Sequence, residues 1–390
     1  MTAPATTRIG GQGSVDEDLL GGLADSAWDR LAGPHLYSTA RWLRFCARHG
    51  SGAGAAVSYS AGAPAAAVPV LELAGPPPPL YRWNDLLAAH GLPALAPTGL
   101  LVGPRQGYQT HLLTPAGPGR VDRLAELVQV LRDRPRREPT GAALVAMYLT
   151  TSDALALREA GVPAPPVLLE ADAWFELPDG GWEGWLDALP AKRRAEVRRE
   201  VRRFAAAGNS VEHRPLSECW SELAPLAAAT QSKYGDTAPS SFWATLLSGH
   251  VEGMGPAARV SVCRGRDGAI VGFCLYYVRA DTLFLRWAGF DYDRLQDAAE
   301  YFNVVYYSQI ARAPQLGVRR IHAGIKAPQA KALRGARLRP LWLVDLAAGS
   351  ALVREHVAVR RHNRRAFDLL IAEVHPASAF ADHAEWLAFT

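Results

Sequence analysis

The chain is short of several residues that usually announce a chemistry. Its four cysteines, Cys46, Cys219, Cys263 and Cys274, are far apart and never reach a C-x2-C spacing, which excludes a thiolate metal centre and suggests no disulfide framework. They read as reduced core residues of a cytoplasmic protein. No run of about 18 apolar residues occurs, so no membrane insertion is expected. Residues 1–22 lack the basic start and apolar stretch of a signal peptide and are expected to be disordered. Lysine is nearly missing: of 42 basic side chains only Lys192, Lys233, Lys326 and Lys331 are lysines, and 38 are arginines. One-sided charge is missing too, because 42 basic against 38 acidic residues leave only +4, far from a nucleic-acid coat protein. Arginine is background in such a composition, and a lysine stands out.

What is present is a globular composition, with 390 residues, 49% hydrophobic and 21% charged, at a mean hydropathy of −0.05. That length suits two domains. The proline cluster at 163–166 marks a boundary, giving a domain at 23–166, a second at 167–350 and a helical extension at 351–390. In the first domain, 34–45 reads as a Ser/Thr-capped amphipathic helix, 55–60 and 65–73 as a hairpin, 100–105 as a strand, 120–131 as a helix and 143–149 as a buried strand. The second domain reads more clearly. It opens with a strand at 173–177 and helices at 182–189 and 191–207, the latter stopped by Gly208-Asn209. Helices at 216–229 and 240–247 lead into strands at 258–263, 269–278 and 282–290, an antiparallel meander. A helix at 296–313, a strand at 319–323, a short helix at 328–333 and a last strand at 340–344 complete it. The fold class is α+β, with mixed sheets flanked by helices and a rougher copy of the same series in the first half.

The strongest local anomaly is Lys192-Arg193-Arg194-Ala195-Glu196-Val197-Arg198-Arg199-Glu200-Val201-Arg202-Arg203. Seven basic and two acidic residues give this segment +5, more than the whole chain. On a helical wheel Val197, Val201 and Phe204 fall together, and Lys192, Arg198, Arg199, Arg202 and Arg203 spread opposite. With so few acids to pair them, the arginines form a band ~17 Å long, which suits several phosphates better than one. A solvated surface helix is the plainer alternative.

A second constellation, Asp291-Tyr292-Asp293-Arg294 followed by Glu300-Tyr301-Phe302-Asn303, sits where the third meander strand hands over to the main helix. Acyl-CoA enzymes place a glycine-rich turn there so that backbone N–H groups cradle the pyrophosphate. Here no glycine stands between Gly289 and the helix, and two carboxylates would repel the anion. Asp291 and Asp293 either serve the site or cap the helix. Lys331, on a short helix between two core strands, either stabilises an oxyanion in the cleft or is a solvated surface lysine. His322 points to the cleft or to the core. Lys233 and Tyr234, in a polar break between helices, line a substrate site or form a loop.

The meander, helix, strand order is that of the acyl-CoA N-acyltransferase-like (GNAT) fold, here in tandem. The segments Asp291-Tyr292, Glu300-Tyr301-Phe302-Asn303, Tyr306-Tyr307, His322-x-Gly324 and Ala330-Lys331-x-x-Arg334-Gly335-Ala336-x-Leu338-x-Pro340-Leu341-Trp342 resemble actinobacterial GNAT-like proteins related to the Fem aminoacyltransferases. The resemblance covers residues 172–345 well and the first half only loosely, through 37–45 and Gly103-Pro104-Arg105-x-Gly107-Tyr108. It implies transfer of an amino acid from aminoacyl-tRNA to an amine, forming an amide. It assigns Lys192, Arg193, Arg194, Arg198, Arg199, Arg202 and Arg203 to tRNA phosphates and Lys331 to the ester carbonyl. Asp291 or His322 then takes the proton, and Lys233, Tyr234, Tyr292, Tyr301 and Asn303 face the substrates. No coiled-coil arm like that of the cell-wall Fem enzymes is visible, which favours a small-molecule, natural-product acceptor over a peptidoglycan precursor. No metal or other cofactor is implied, apart from acetyl-CoA or another acyl-CoA if the chain is an ordinary N-acyltransferase.

Overall fold

The computed structural model describes residues 19–48, 52–73, 79–104, 106–115, 117–134, 142–235, 237–380 and 382–390. Most of the N-terminus expected to be disordered lies outside them, as do Arg105 and Asp236. Leu19 and Leu20 do not follow that expectation, because they are buried in a core with Trp28, Ala40 and Leu43. The chain divides into two compact units, one made of 1–172, 339–374 and 380–390 and the other of 173–338 and 375–379.

In the first unit, β1 (Ala53–Ser60) and β2 (Ala63–Leu73) form the expected hairpin. β3 (Gly99–Val102) runs antiparallel to β2 and parallel to β4 (Ala143–Leu149). The helix expected over 34–45 is a short 3-10 turn, Leu36–Ser38, and then a helix, Ala40–Ala47, whose cap Thr39 accepts from the Trp42 N–H at 3.3 Å.

The last predicted strand differs from expectation in its partner. β11 (Arg337–Asp345) pairs with β4, through Trp342↔Leu149, Val344↔Ala146 and Asp345↔Val145, and so belongs mostly to the first unit. The reason is the burial of β4: all of its residues are buried and β3 covers only one edge, so its other row of backbone groups needs a partner. The segment 351–374, expected as a separate extension, also counts in the first unit.

In the second unit, β6 (Ser210–Pro215), β7 (Arg259–Arg264), β8 (Ile270–Arg279) and β9 (Thr282–Phe290) pair antiparallel in that order. β6 has no counterpart in the sequence reading, since a Ser-Val-Glu-His-Arg-Pro edge strand carries little apolar pattern. β10 (Arg320–Gly324) is parallel to β9, and the end of β5 (Val167–Glu176) lies antiparallel to β10. Both units therefore repeat one series: antiparallel strands, a parallel pair, then an antiparallel strand. Among the described residues no helix is long and apolar enough to cross a membrane. All four cysteines are buried and none is in a disulfide.

Candidate active site

The second unit opens a notch between β9 and β10. These strands pair only over Thr282–Phe284 with Arg320–His322 and then part. The N–H of Phe290, at the far end of β9, donates instead to Thr230 Oγ1 at 2.8 Å. That contact is possible because Gly289 lacks a side chain: a Cβ there would meet Phe273 and the Leu226–Ala227 backbone at 2.4–2.8 Å. The helix Trp220–Ser232 thus holds β9 away from β10. The notch is the expected position for substrate.

The turn that leads from β9 into the main helix is organised by an acid, not by glycines. Glu300 is buried, its Oε1 accepting from the Gln296 N–H at 2.7 Å and its Oε2 from the Ala298 N–H at 2.8 Å. Asp297 and Ala299 adopt left-handed backbone conformations to bring these donors round. The N–H groups with which a GNAT turn would grip a pyrophosphate are used within the chain. Asp291 accepts from the Asp293 N–H at 3.2 Å, so the pair shapes the turn and does not cap the helix.

The main helix begins at Glu300–Phe302, widens to a π-turn over Asn303–Tyr307 and continues as Ser308–Arg312. The Val304 carbonyl accepts from Ser261 Oγ and Ser308 Oγ, each at 3.0 Å, in the widened turn. Asn303 is buried and its Nδ2 donates to the Ala299 carbonyl at 2.9 Å, a helix-start contact and not an open subsite.

Four of the five residues expected to face substrate lie together. The Lys233 ammonium lies 4.4 Å from the centre of the Tyr292 ring. Tyr301, whose hydroxyl is 3.3 Å from that of Tyr306, has its phenol pKa raised by burial and also by the neighbouring Tyr234 and Tyr292. Tyr234 is 76% exposed, and Tyr292 and Tyr301 keep over a third of their surface open, giving a phenolic rim beside the turn.

Lys331 is 4% exposed on the short helix Pro328–Ala332, and its Nζ donates to the Gly324 carbonyl at 2.8 Å, at the end of β10. His322 is fully buried, its ring against Trp174 at 4.8 Å and Phe284 at 5.6 Å, so its strand turns it to the core.

The basic helix, Ala191–Ala206, buries Val197 and Phe204 as its pattern requires. The expectation that its arginines lack acidic partners is wrong for four of them. Arg193 pairs with Glu196 at 2.5 Å, Arg194 with Asp187 at 3.3 Å, Arg198 with Glu183 at 3.4 Å and Arg203 with Asp297 at 2.6 Å. Three of these acids come from outside the helix, so its own composition could not show them. Lys192, Arg199 and Arg202 are exposed and form no ion pair among the described residues. They stand at i, i+7 and i+10, on one stripe ~15 Å long.

Sequence reasoning missed the group that ties this helix to the lysine segment. Glu200 accepts from Arg334 Nη2 at 2.8 Å and from the Tyr307 hydroxyl, and Arg334 Nε donates to Tyr307 Oη at 2.8 Å. The Arg334 guanidinium lies 3.1 Å from the centre of the Phe302 ring, and its Nη1 donates to the Ala330 carbonyl at 3.0 Å. Burial raises the Tyr307 pKa, which keeps the hydroxyl a donor. The available signal was the phase of Glu200, three residues after Val197 and four before Phe204, on the buried side.

Residues 191–332 match the acetyltransferase (GNAT) domain family. That segment has the GNAT fold. The match bears out the fold class and the acyltransferase class read from the sequence. Solved structures with the same fold include FemX, 12% identical, with a TM-score of 0.57 over 85% of this chain and 98% of that one. Another is the C-terminal domain of a putative lysylphosphatidylglycerol synthetase from Agrobacterium fabrum, 14% identical, with a TM-score of 0.51 over 85% and 90%. A protein of unknown function from Bacteroides thetaiotaomicron is 12% identical, with a TM-score of 0.52 over 83% and 98%. No curated protein matches the chain.

Proposed function

We propose that this GNAT chain is a tRNA-dependent aminoacyltransferase that moves an amino acid from aminoacyl-tRNA to the amine of a small-molecule acceptor. The observation that carries the reading is the Glu300 turn. A pyrophosphate needs free backbone donors and no nearby anions. Here two donors are taken by a buried carboxylate, and Asp291, Asp293 and Asp297 stand in the same stretch of chain. An aminoacyl ester on RNA needs phosphate contacts elsewhere, and the stripe Lys192, Arg199 and Arg202 supplies cations that no carboxylate among the described residues neutralises.

The chemistry asks for little. The acceptor amine attacks the ester carbonyl, the C–N bond forms and the C–O bond to the tRNA ribose breaks. The amine proton leaves to a base, and the ribose hydroxyl departs with a proton. Lys331 stabilises the oxyanion of the tetrahedral intermediate. Asp291, just after β9, takes the proton in this reading, while His322 supports the β10 wall from the core. The phenolic rim of Tyr234, Tyr292 and Tyr301, with Lys233, orients acceptor or ester.

The test is incubation with a mixture of tRNAs charged with labelled amino acids and a panel of amines. Label should move to an amine, and ribonuclease should abolish the transfer. Stoichiometric binding of coenzyme A by calorimetry, with acyl transfer from acyl-CoA, would overturn the proposal.

A further inference from the structure

We infer that the outer face of the C-terminal helix, His356–Glu373, is a second RNA-binding surface, on the first unit and separate from the basic helix described above. It rests on the aminoacyl-tRNA reading only in taking tRNA as the RNA. The segment 354–365 holds Arg354, Arg360, Arg361, Arg364 and Arg365 against a single acid, Glu355. Arg364 pairs with Asp368 at 3.1 Å. The other four are exposed and form no ion pair among the described residues.

The contrast with the basic helix is informative. There, carboxylates from neighbouring elements neutralise part of the band, whereas here none comes in among the described residues. Arg360 and Arg364, and Arg361 and Arg365, are like charges at i, i+4, which cost helix stability when no anion is present. The platform under them is rigid. Asn363 is fully buried, its Oδ1 accepting from the Leu168 N–H at 2.8 Å and its Nδ2 donating to the Pro166 and Phe389 carbonyls at 2.9 and 2.7 Å. Phe367 stacks on Trp386 with ring centres 5.1 Å apart and planes 10° apart. Arginines on a fixed rod need little further ordering to meet phosphates, and Arg360 to Arg365 span ~8 Å of the helix, room for two or three phosphates at ~3.4 Å of axis each, with Arg354 in the turn before it.

RNA fits this face better than an anionic bilayer. A helix that lies on a membrane inserts Trp, Phe or Leu. Phe367, Phe380, Trp386 and Phe389 all turn inward, and among the described residues from 351 on the large apolar side chains left exposed, Val353, Val357, Leu369 and Leu387, include no aromatic and are scattered over three elements.

The experiment replaces Arg354, Arg360, Arg361 and Arg365 together by Gln, with a thermal melt to check folding, and measures binding of uncharged total tRNA by filter retention from 50 to 250 mM KCl. Removing one phosphate contact lowers the log–log salt slope by about 0.9. The slope should fall by about 2 to 4, and affinity at 100 mM should drop at least tenfold. A slope within about 0.5 of the parent overturns the inference. So does loss of phosphatidylglycerol-vesicle binding with tRNA binding intact. A parallel Lys192→Gln, Arg199→Gln, Arg202→Gln variant separates the two claims. If that variant alone loses tRNA, the C-terminal surface is refuted and the transferase reading stands. If the C-terminal variant loses tRNA but the parent shows no ribonuclease-sensitive transfer, the reverse holds. A parent that binds no tRNA refutes both.

Discussion

Replacing Glu200 by Ala removes the counter-charge of a guanidinium that is only 9% exposed. Arg334 keeps its contacts to Tyr307, Ala330 and Phe302, but Nη2 is left without its carboxylate. Breaking a buried pair by deleting one partner costs about 3–5 kcal/mol. Because Glu200 is itself 15% exposed, water reaches the gap and the lower end applies, about 3 kcal/mol. For a unit of this size each kcal/mol moves the melting temperature by about 2–4 °C, so a drop of about 6–12 °C is expected by differential scanning calorimetry. The physics also fixes the second half of the experiment. A buried ion pair is worth little relative to apolar residues of similar volume, so Glu200→Leu with Arg334→Met should recover most of the loss. A melting temperature within about 2 °C of the parent for the single variant would refute the reasoning. So would a double variant no better than the single one.

Glu300→Gln should lower stability by about 1–3 kcal/mol in urea titrations, since one buried N–H then faces an amide instead of a carboxylate oxygen. It should not create coenzyme A binding, because the Gln296 and Ala298 N–H groups stay covered by the amide side chain and Asp291, Asp293 and Asp297 remain. Lys331→Met should reduce transfer about 10²–10³-fold in kcat while leaving tRNA affinity unchanged, as measured by single-turnover transfer and filter retention. His213, whose ring nitrogen lies 3.3 Å from Tyr276 Oη, has its pKa lowered to about 4 by burial and by the nearby Arg312 and Arg259. Below the ordinary pKa of about 6.5 the unfolded chain binds the proton first, so stability is lost as pH falls from about 6.5 towards 4. The loss between pH 7 and 5 should be about 2 kcal/mol by urea midpoint, and His213→Gln should remove that slope; an unchanged slope in the variant would contradict it.

How much of this was legible in the sequence depended on where each interaction's partner sits. The meander could be read because each strand pairs with its neighbour across a tight turn, as Arg266-Asp267-Gly268 shows. The partner of β11 could not, because β4 lies almost two hundred residues earlier and nothing in Leu341-Trp342-Leu343-Val344 names it. The same rule governs charge. The excess of +5 on the basic helix was visible, yet Asp187, Glu183 and Asp297 neutralise part of it from other elements, and the cations left are Lys192, Arg199 and Arg202. A missing glycine-rich turn points away from coenzyme A, and repulsion from Asp291 and Asp293 is the part of the cause that the sequence displays. The larger obstacle is Glu300, an ordinary acid at a helix start until its two oxygens are seen on the Gln296 and Ala298 N–H groups. An anion that sought those donors would have to displace a covalently tethered carboxylate already in place, which enters without the translational cost a free ligand bears. Competition within the chain therefore weighs against a pyrophosphate at this turn, and the proposal of an RNA ester over a CoA thioester rests on that one side chain more than on any residue proposed to touch substrate.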